Sequence, residues 1–185
     1  EVIHLGHDRS VEEVVNTAIQ EDANAIAMTS YQGGHNEYFK YMYDLLQEKG
    51  ASHIKIFGGG GGVILPREIE KLKAHGIAQI YSPDDGRRMG LQGMIDDMLK
   101  QCDFQTITQL NNDTRSIRNK NTKAIASAIT MDENHPHESE SFLKEIKKCI
   151  DQKKTPVLGI TGTGGAGLSF FFIELVKRKI LGTDP

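Results

Sequence analysis

The chain has 185 residues, a formal net charge of −3 and 38% hydrophobic residues. That balance supports one domain with a real core, or one domain and a piece of another; it offers no basic surface for nucleic acid or anionic lipid, no signal-peptide pattern and no run near the roughly 18 apolar residues of a membrane span. Two cysteines, Cys102 and Cys149, lie far apart without a CxxC spacing, which predicts a reduced, cytoplasmic protein.

EVIHLG, residues 1–6, reads as a short strand. Ser10 with Glu13 makes a capping box, and VEEVVNTAIQ carries apolar residues at helical spacing. NAIAMT, residues 24–29, reads as a buried strand that SYQGGH breaks. NEYFKYMYDLLQEKG is amphipathic: Tyr38, Phe39, Met42, Leu45 and Leu46 share a face, and Gly50 stops the helix. HIKIF is the next strand, followed by five consecutive glycines, Gly58 to Gly62. Pro66 suits the first turn of a helix ending near Gly76. AQIY is the last strand, SPDDG a turn, and RRMGLQGMIDDMLKQC the last helix of this series. Strands alternating with helices predict an α/β fold with an open, doubly wound parallel sheet.

Near residue 104 the texture changes. QTITQLNNDTRSIRNKNTKAIASAIT is polar with weak helical periodicity, MDENHPHESES is a linker by composition, and SESFLKEIKKCIDQKK reads as a helix. PVLGITGTGGAGLSFFFIELVKRK then reads as strand, glycine loop and helix, the opening of a second domain. Three parts follow: a domain over residues 1–103, a helical and polar linker over 104–154, and the start of another domain over 155–185.

Ligands of open parallel sheets bind beyond the carboxyl ends of the strands. Two glycine-bearing breaks fall there, Ser30-Tyr31-Gln32-Gly33-Gly34-His35 and Gly58 to Gly62, and they follow successive strands. Glycine loses the most backbone freedom on folding, so five in a row need a reason. Their missing side chains would leave a slot for a flat or elongated group against bare backbone. A phosphate cradle is another reading, but the run lacks a GxGxxG spacing and a following Lys. His35 reads either as a ligand contact or as a helix start, Asp84 and Asp85 as turn residues, and His135 and His137 as histidines of a polar linker.

SYQGGH, IFGGGGGVILP and IYSPDDG together resemble the cobalamin-binding domain of adenosylcobalamin-dependent acyl-CoA mutases. The SYQGGH form with the long glycine run resembles the fused isobutyryl-CoA mutases more closely than ordinary methylmalonyl-CoA mutases, whose first loop has a small residue and Leu at Tyr31-Gln32. The likeness covers roughly residues 1–103 and implies a flavodoxin-like, Rossmann-like fold. It implies that Ser30 hydrogen-bonds the detached benzimidazole and that Gly61 and Gly62 lie against it. The implied cofactor contacts are Ser30, Tyr31, Gln32 and Gly33, then Gly59, Gly60, Gly61 and Gly62, then Ser82 and Pro83.

The C-terminal piece points the same way. Gly162-Thr163-Gly164-Gly165-Ala166-Gly167-Leu168-Ser169 has the GxxxxGK[ST] spacing of a phosphate-binding loop, with Leu168 at the Lys position. In the fused mutases a metallochaperone-like GTPase domain follows the cobalamin domain in this order. That likeness implies GTP and Mg, with Gly162, Gly164, Gly165, Ala166, Gly167, Leu168, Ser169 and Phe170 as nucleotide contacts and Ser169 at Mg. Leu168 supplies no ammonium for the β- and γ-phosphates, so hydrolysis is expected to fail.

A second departure concerns cobalt. Cobalamin domains of this type carry DxHxxG after the first strand, where His ligates the metal. GHDRS, with His7 and Asp8, follows what aligns as the second strand, and its Ser10 is occupied as a helix cap. The expectation is therefore that the ligand His is absent from this chain, that the first strand of the 2-1-3-4-5 order is missing between EVIHLG and NAIAMT, and that the polypeptide extends upstream. The resemblance implies conversion of isobutyryl-CoA to n-butyryl-CoA, an acyl-CoA bound by a barrel outside this chain, and a homodimer. A stand-alone corrinoid carrier for methyl transfer and a flavodoxin-like nucleotide-binding module are the alternative readings.

Overall fold

The structure is a computed structural model. It describes residues 1–31, 33–107 and 114–150, with backbone alone at Cys149 and Ile150. Residues 1–146 form one compact unit and 147–185 another. The fold below is that of the first.

Helix α1 (Val11–Gln20) leads to strand β1 (Ala25–Thr29), α2 (His35–Glu48), β2 (Lys55–Gly59), α3 (Pro66–His75), β3 (Gln79–Tyr81) and α4 (Pro83–Cys102). The three strands form a parallel sheet in the order β1-β2-β3. This is the α/β alternation that the periodicity predicts, and it is consistent with a flavodoxin-like fold. Parallel neighbours need crossovers, and α2 and α3 supply them. The core comprises Val11 and Val15 of α1, Phe39, Met42 and Leu46 of α2, Ile56 of β2, Leu72 of α3 and Ile80 of β3. Each such side chain contributes about 1.5–3 kcal/mol by leaving water.

Local chemistry sets the helix ends. The backbone N–H of Glu13 donates to Ser10 Oγ at 3.2 Å and Ser10 N–H to Glu13 Oε2 at 3.0 Å, completing the expected capping box. Gly50, φ +67°, ends α2 where a side chain would be strained. SPDDG is not a separate turn: Ser82 caps α4, and Pro83 occupies its first position. Proline fits there because a first-turn N–H has no helical partner to lose. Gly90, at φ 66° and ψ 174°, interrupts α4 with a kink.

EVIHLG is not a strand. Residues 1–6 are irregular, and Val2 is 90% exposed. Strand geometry needs a neighbour for its backbone groups, and residues 2–5 do not pair with 24–29, so no described strand lies beside them. Side chains hold the segment instead: Arg9 Nε donates to the Leu5 carbonyl at 2.8 Å, and Tyr38 Oη to that of Arg9 at 2.8 Å.

The polar stretch beyond residue 104 is largely helical where described: α5 (Thr114–Arg118), α6 (Thr122–Asn134) and α7 (Pro136–Ile150). Asn121 caps α6 by accepting from Ala124 N–H at 2.9 Å, and α6 packs against α1. MDENHPHESES, which composition marks as a linker, is the end of α6 and the start of α7, with only His135 between them. Burial explains the difference: Met131 and Phe142 are buried, and buried Ser139 donates to Asp132 Oδ1 at 2.7 Å. Among the described residues no helix is long and apolar enough to cross a membrane.

At the amino ends of the strands, Asn24 Nδ2 donates to the carbonyls of Cys102 and Phe104 at 3.0 and 2.7 Å. Lys55 Nζ donates to the Gln101 carbonyl at 2.8 Å and sits over the Phe104 ring. The end of α4 is thus tied at the edge of the sheet opposite the glycine loops.

Candidate functional site

The register places the carboxyl ends together: Thr29 pairs with Gly59, and Gly59 with Tyr81. The loops starting at Ser30, Gly60 and Ser82 therefore leave one edge side by side.

The glycine run divides by what each β-carbon would meet. Gly58 faces inward, and a β-carbon there would strike Phe39 and Ile80; this glycine serves the core. At Gly59 the nearest atom would be the Tyr81 carbonyl oxygen, at 3.7 Å, an ordinary contact. At Gly60 it would be the Ser30 carbonyl oxygen at 2.6 Å, so the two loops touch backbone to backbone. At Gly61 it would lie 2.9 Å from Tyr31 Cε1, and at Gly62 3.5 Å from Pro83 Cγ. Gly61 and Gly62 have φ of +54° and +94°, where glycine is favoured. The run turns back as Val63 N–H donates to the Gly60 carbonyl at 2.9 Å.

The structure thus brings Ser30, Tyr31, Gly60, Gly61, Gly62 and Pro83 together. Ser30 N–H donates to the Gly59 carbonyl at 2.9 Å, extending the ladder past β1. Tyr31 is 68% exposed. Gly33 and Gly34 have open space at their β-carbon positions, and Gly34 begins α2 at φ +87°. The Ser82 hydroxyl donates to Asp85 Oδ2 at 2.7 Å and accepts from Asp85 N–H at 3.2 Å, so it is engaged as a cap. The Ser82 N–H, then its hydroxyl, hold the Asp85 carboxyl below its ordinary range. Tyr81 stacks on Phe57 and donates to Asp97 Oδ2 at 2.8 Å; burial first, then Asp97, push its phenol above the usual range. Gln32 and the nucleotide-loop residues Gly162, Gly164, Gly165, Ala166, Gly167, Leu168, Ser169 and Phe170 lie outside the described residues.

Behind the two glycine loops is a cluster that sequence reasoning reached only in part. His35 starts α2 and is buried, 7% exposed, with Nε2 3.3 Å from Glu68 Oε2. Asn36 Nδ2 donates to Glu68 Oε1 at 3.0 Å, and Leu65 N–H to Glu68 Oε2 at 2.8 Å. The Leu65 N–H, then Asn36, hold this carboxyl below its ordinary range. His35 is a helix start, as one reading had it. Glu68 and Asn36 were missed; the available signal was an acid three residues after Leu65, the reciprocal half of a capping box. Among the described residues no group of three or more His, Cys, Asp or Glu side chains could hold a metal ion. His7 Nδ1 instead meets its neighbour Asp8 Oδ2 at 2.6 Å on the surface.

No protein-family model matches the chain. It aligns over its full length, at 56% identity across 201 positions, with the fused isobutyryl-CoA mutase of Geobacillus kaustophilus, covering 18% of that protein. With the fused isobutyryl-CoA mutase of Cupriavidus metallidurans it is 52% identical over 184 residues, again its full length, and covers 17%. The chain is a homologue of one segment of the fused isobutyryl-CoA mutases. It spans less than a fifth of the length of these relatives. It is also 32% identical over 84 residues to the 2-hydroxyisobutanoyl-CoA mutase small subunit of Aquincola tertiaricarbonis, which covers 45% of this chain and 60% of that subunit.

Proposed function

We propose that residues 1–103 hold and orient adenosylcobalamin within an acyl-CoA mutase that interconverts isobutyryl-CoA and n-butyryl-CoA. The observation carrying this reading is the meeting of three loops on the glycine run, Ser30 and Tyr31 on one side and Pro83 on the other. The residues suit a flat, elongated tail: Gly59 to Gly62 present backbone only, and a β-carbon at Gly61 would fill the space beside the Tyr31 ring. Similarity over the whole of this chain to one segment of proteins named fused isobutyryl-CoA mutase supports the same class.

In this reading Ser30 hydrogen-bonds the base, Gly61 and Gly62 lie against it, and Tyr31, Gln32, Gly33, Gly59, Gly60, Ser82 and Pro83 border it. The cofactor, when bound, supplies radical chemistry from its Co–C bond. The chain's own part is to bind, to orient and to keep water from the tail. The acyl-CoA belongs to a barrel outside residues 1–185, and the assembled enzyme is a homodimer. Residues 155–185 open a GTPase chaperone domain with Ser169 at Mg.

The test is retention of cobalamin. The whole natural polypeptide is incubated with hydroxocobalamin, desalted, and read by visible absorbance. Corrinoid eluting with the protein in a one-to-one ratio is expected. Elution of the two apart would remove this reading and favour a nucleotide-binding module without corrinoid.

A further inference from the structure

Helix α2 starts immediately after Gly33-Gly34, and α3 starts just beyond the glycine run. Their first turns are joined through one carboxylate. Glu68 Oε2 accepts from Leu65 N–H at 2.8 Å and lies 3.3 Å from His35 Nε2, while Oε1 accepts from Asn36 Nδ2 at 3.0 Å. An ionised carboxylate only accepts, so this contact requires the His35 tautomer with its proton on Nε2. The Leu65 bond alone serves the start of α3. The bonds from His35 and Asn36 do something else: they cross from the first turn of α2 to the first turn of α3, the elements that follow the two glycine loops. The histidine that makes one of them is buried, 7% exposed.

We propose that His35 and Glu68 are positioning residues that fix the spacing of the two loops and so preform the slot. This rests on the cobalamin reading above. Preorganisation of this kind lowers the cost of ordering loops on binding. Ser30 and Gly60 approach each other where the loops leave β1 and β2, and His35 and Glu68 join the helices into which the loops run, so the two loops are linked at both ends.

The experiment measures hydroxocobalamin affinity by absorbance titration in the whole natural polypeptide, beside the melting temperature of each variant without ligand. His35→Ala should weaken binding about tenfold, the value of one charge-assisted hydrogen bond. His35→Gln keeps an N–H donor and should restore affinity to within about threefold of the parent. The His35→Ala/Glu68→Ala pair should bind no more weakly than Glu68→Ala alone, because both changes break the same link. Parent-like affinity in His35→Ala overturns the positioning role while leaving the corrinoid reading intact. Equal loss in His35→Ala and His35→Gln, tracking their melting temperatures, also overturns it. Failure of the parent itself to bind removes both. Should His35→Ala not fold, Glu68→Gln decides: it loses one acceptor, and unchanged affinity there is again fatal.

Discussion

The Ser30 carbonyl oxygen stands 2.6 Å from the place a β-carbon on Gly60 would occupy, whereas Gly59 next door has 3.7 Å to its nearest atom. Adjacent glycines of one run therefore differ in what they can accept. Gly60→Ala must push β1 and β2 apart at their carboxyl ends, a backbone shift that costs about 1–3 kcal/mol. Gly59→Ala should cost under about 1 kcal/mol. Paired urea-unfolding curves decide it, and cobalamin titration should show the larger loss in Gly60→Ala. Equal stability of the two variants would contradict the close approach.

Gly76, at φ +126°, ends α3 against the Tyr43 ring. That ring packs edge-on to His75, which meets Asp44 at 2.8 Å. Gly76→Ala meets two obstacles, an unfavourable backbone region and an aromatic ring. It should destabilise by about 2–3 kcal/mol. Gly76→Ala/Tyr43→Ala should recover the steric part and not the backbone part. Full recovery would show that the φ angle imposes no cost.

Three helix starts depend on an acid accepting a backbone N–H: Glu13 from Ser10, Glu68 from Leu65 and Asp85 from Ser82. Each carboxyl is held below its ordinary value of 4.5, 4.5 and 3.8, with that backbone bond as the largest cause. A lowered folded value means that stability is fully present above the unfolded value and is lost as pH falls through the folded one. The melting temperature should thus begin to fall below pH 4.5 and continue through the folded values. In Glu13→Gln/Glu68→Gln/Asp85→Asn that acid slope should flatten. An unchanged slope would place acid sensitivity elsewhere.

Leu168 stands where a phosphate-binding loop has Lys. In the proposed GTPase reading, a loop without that ammonium would have only backbone N–H groups and Ser169 for a nucleotide. Leu168→Lys should therefore raise affinity for GTP by about tenfold or more, on the scale of one charge-assisted bond. Isothermal titration of parent and variant tests this. Parent affinity matching the Lys variant would mean that the loop does not cradle phosphate.

Local order decided by near neighbours was legible in the amino-acid sequence. Ser10-x-x-Glu13, Pro66 before an amphipathic run, and the apolar face of Phe39, Met42, Leu45 and Leu46 each act within one or two helical turns, so their spacing suffices. The alternation that makes a parallel sheet, and the glycine-bearing loops at its carboxyl edge, follow from the same reading. What needed the tertiary structure was every feature set by a distant partner. EVIHLG has strand composition, yet a strand exists only where another strand takes its backbone hydrogen bonds. MDENHPHESES has linker composition, yet burial of Met131, Ser139 and Phe142 makes it helical on either side of His135. Within five identical glycines, spacing cannot tell Gly58, which admits Phe39 and Ile80 to the core, from Gly60, which admits the Ser30 carbonyl. Glu68 looks like an ordinary helix-start acid until α2 brings His35 and Asn36 to it across 33 and 32 residues of chain. Composition and period describe what a segment can do alone; only the packed chain determines which atoms meet.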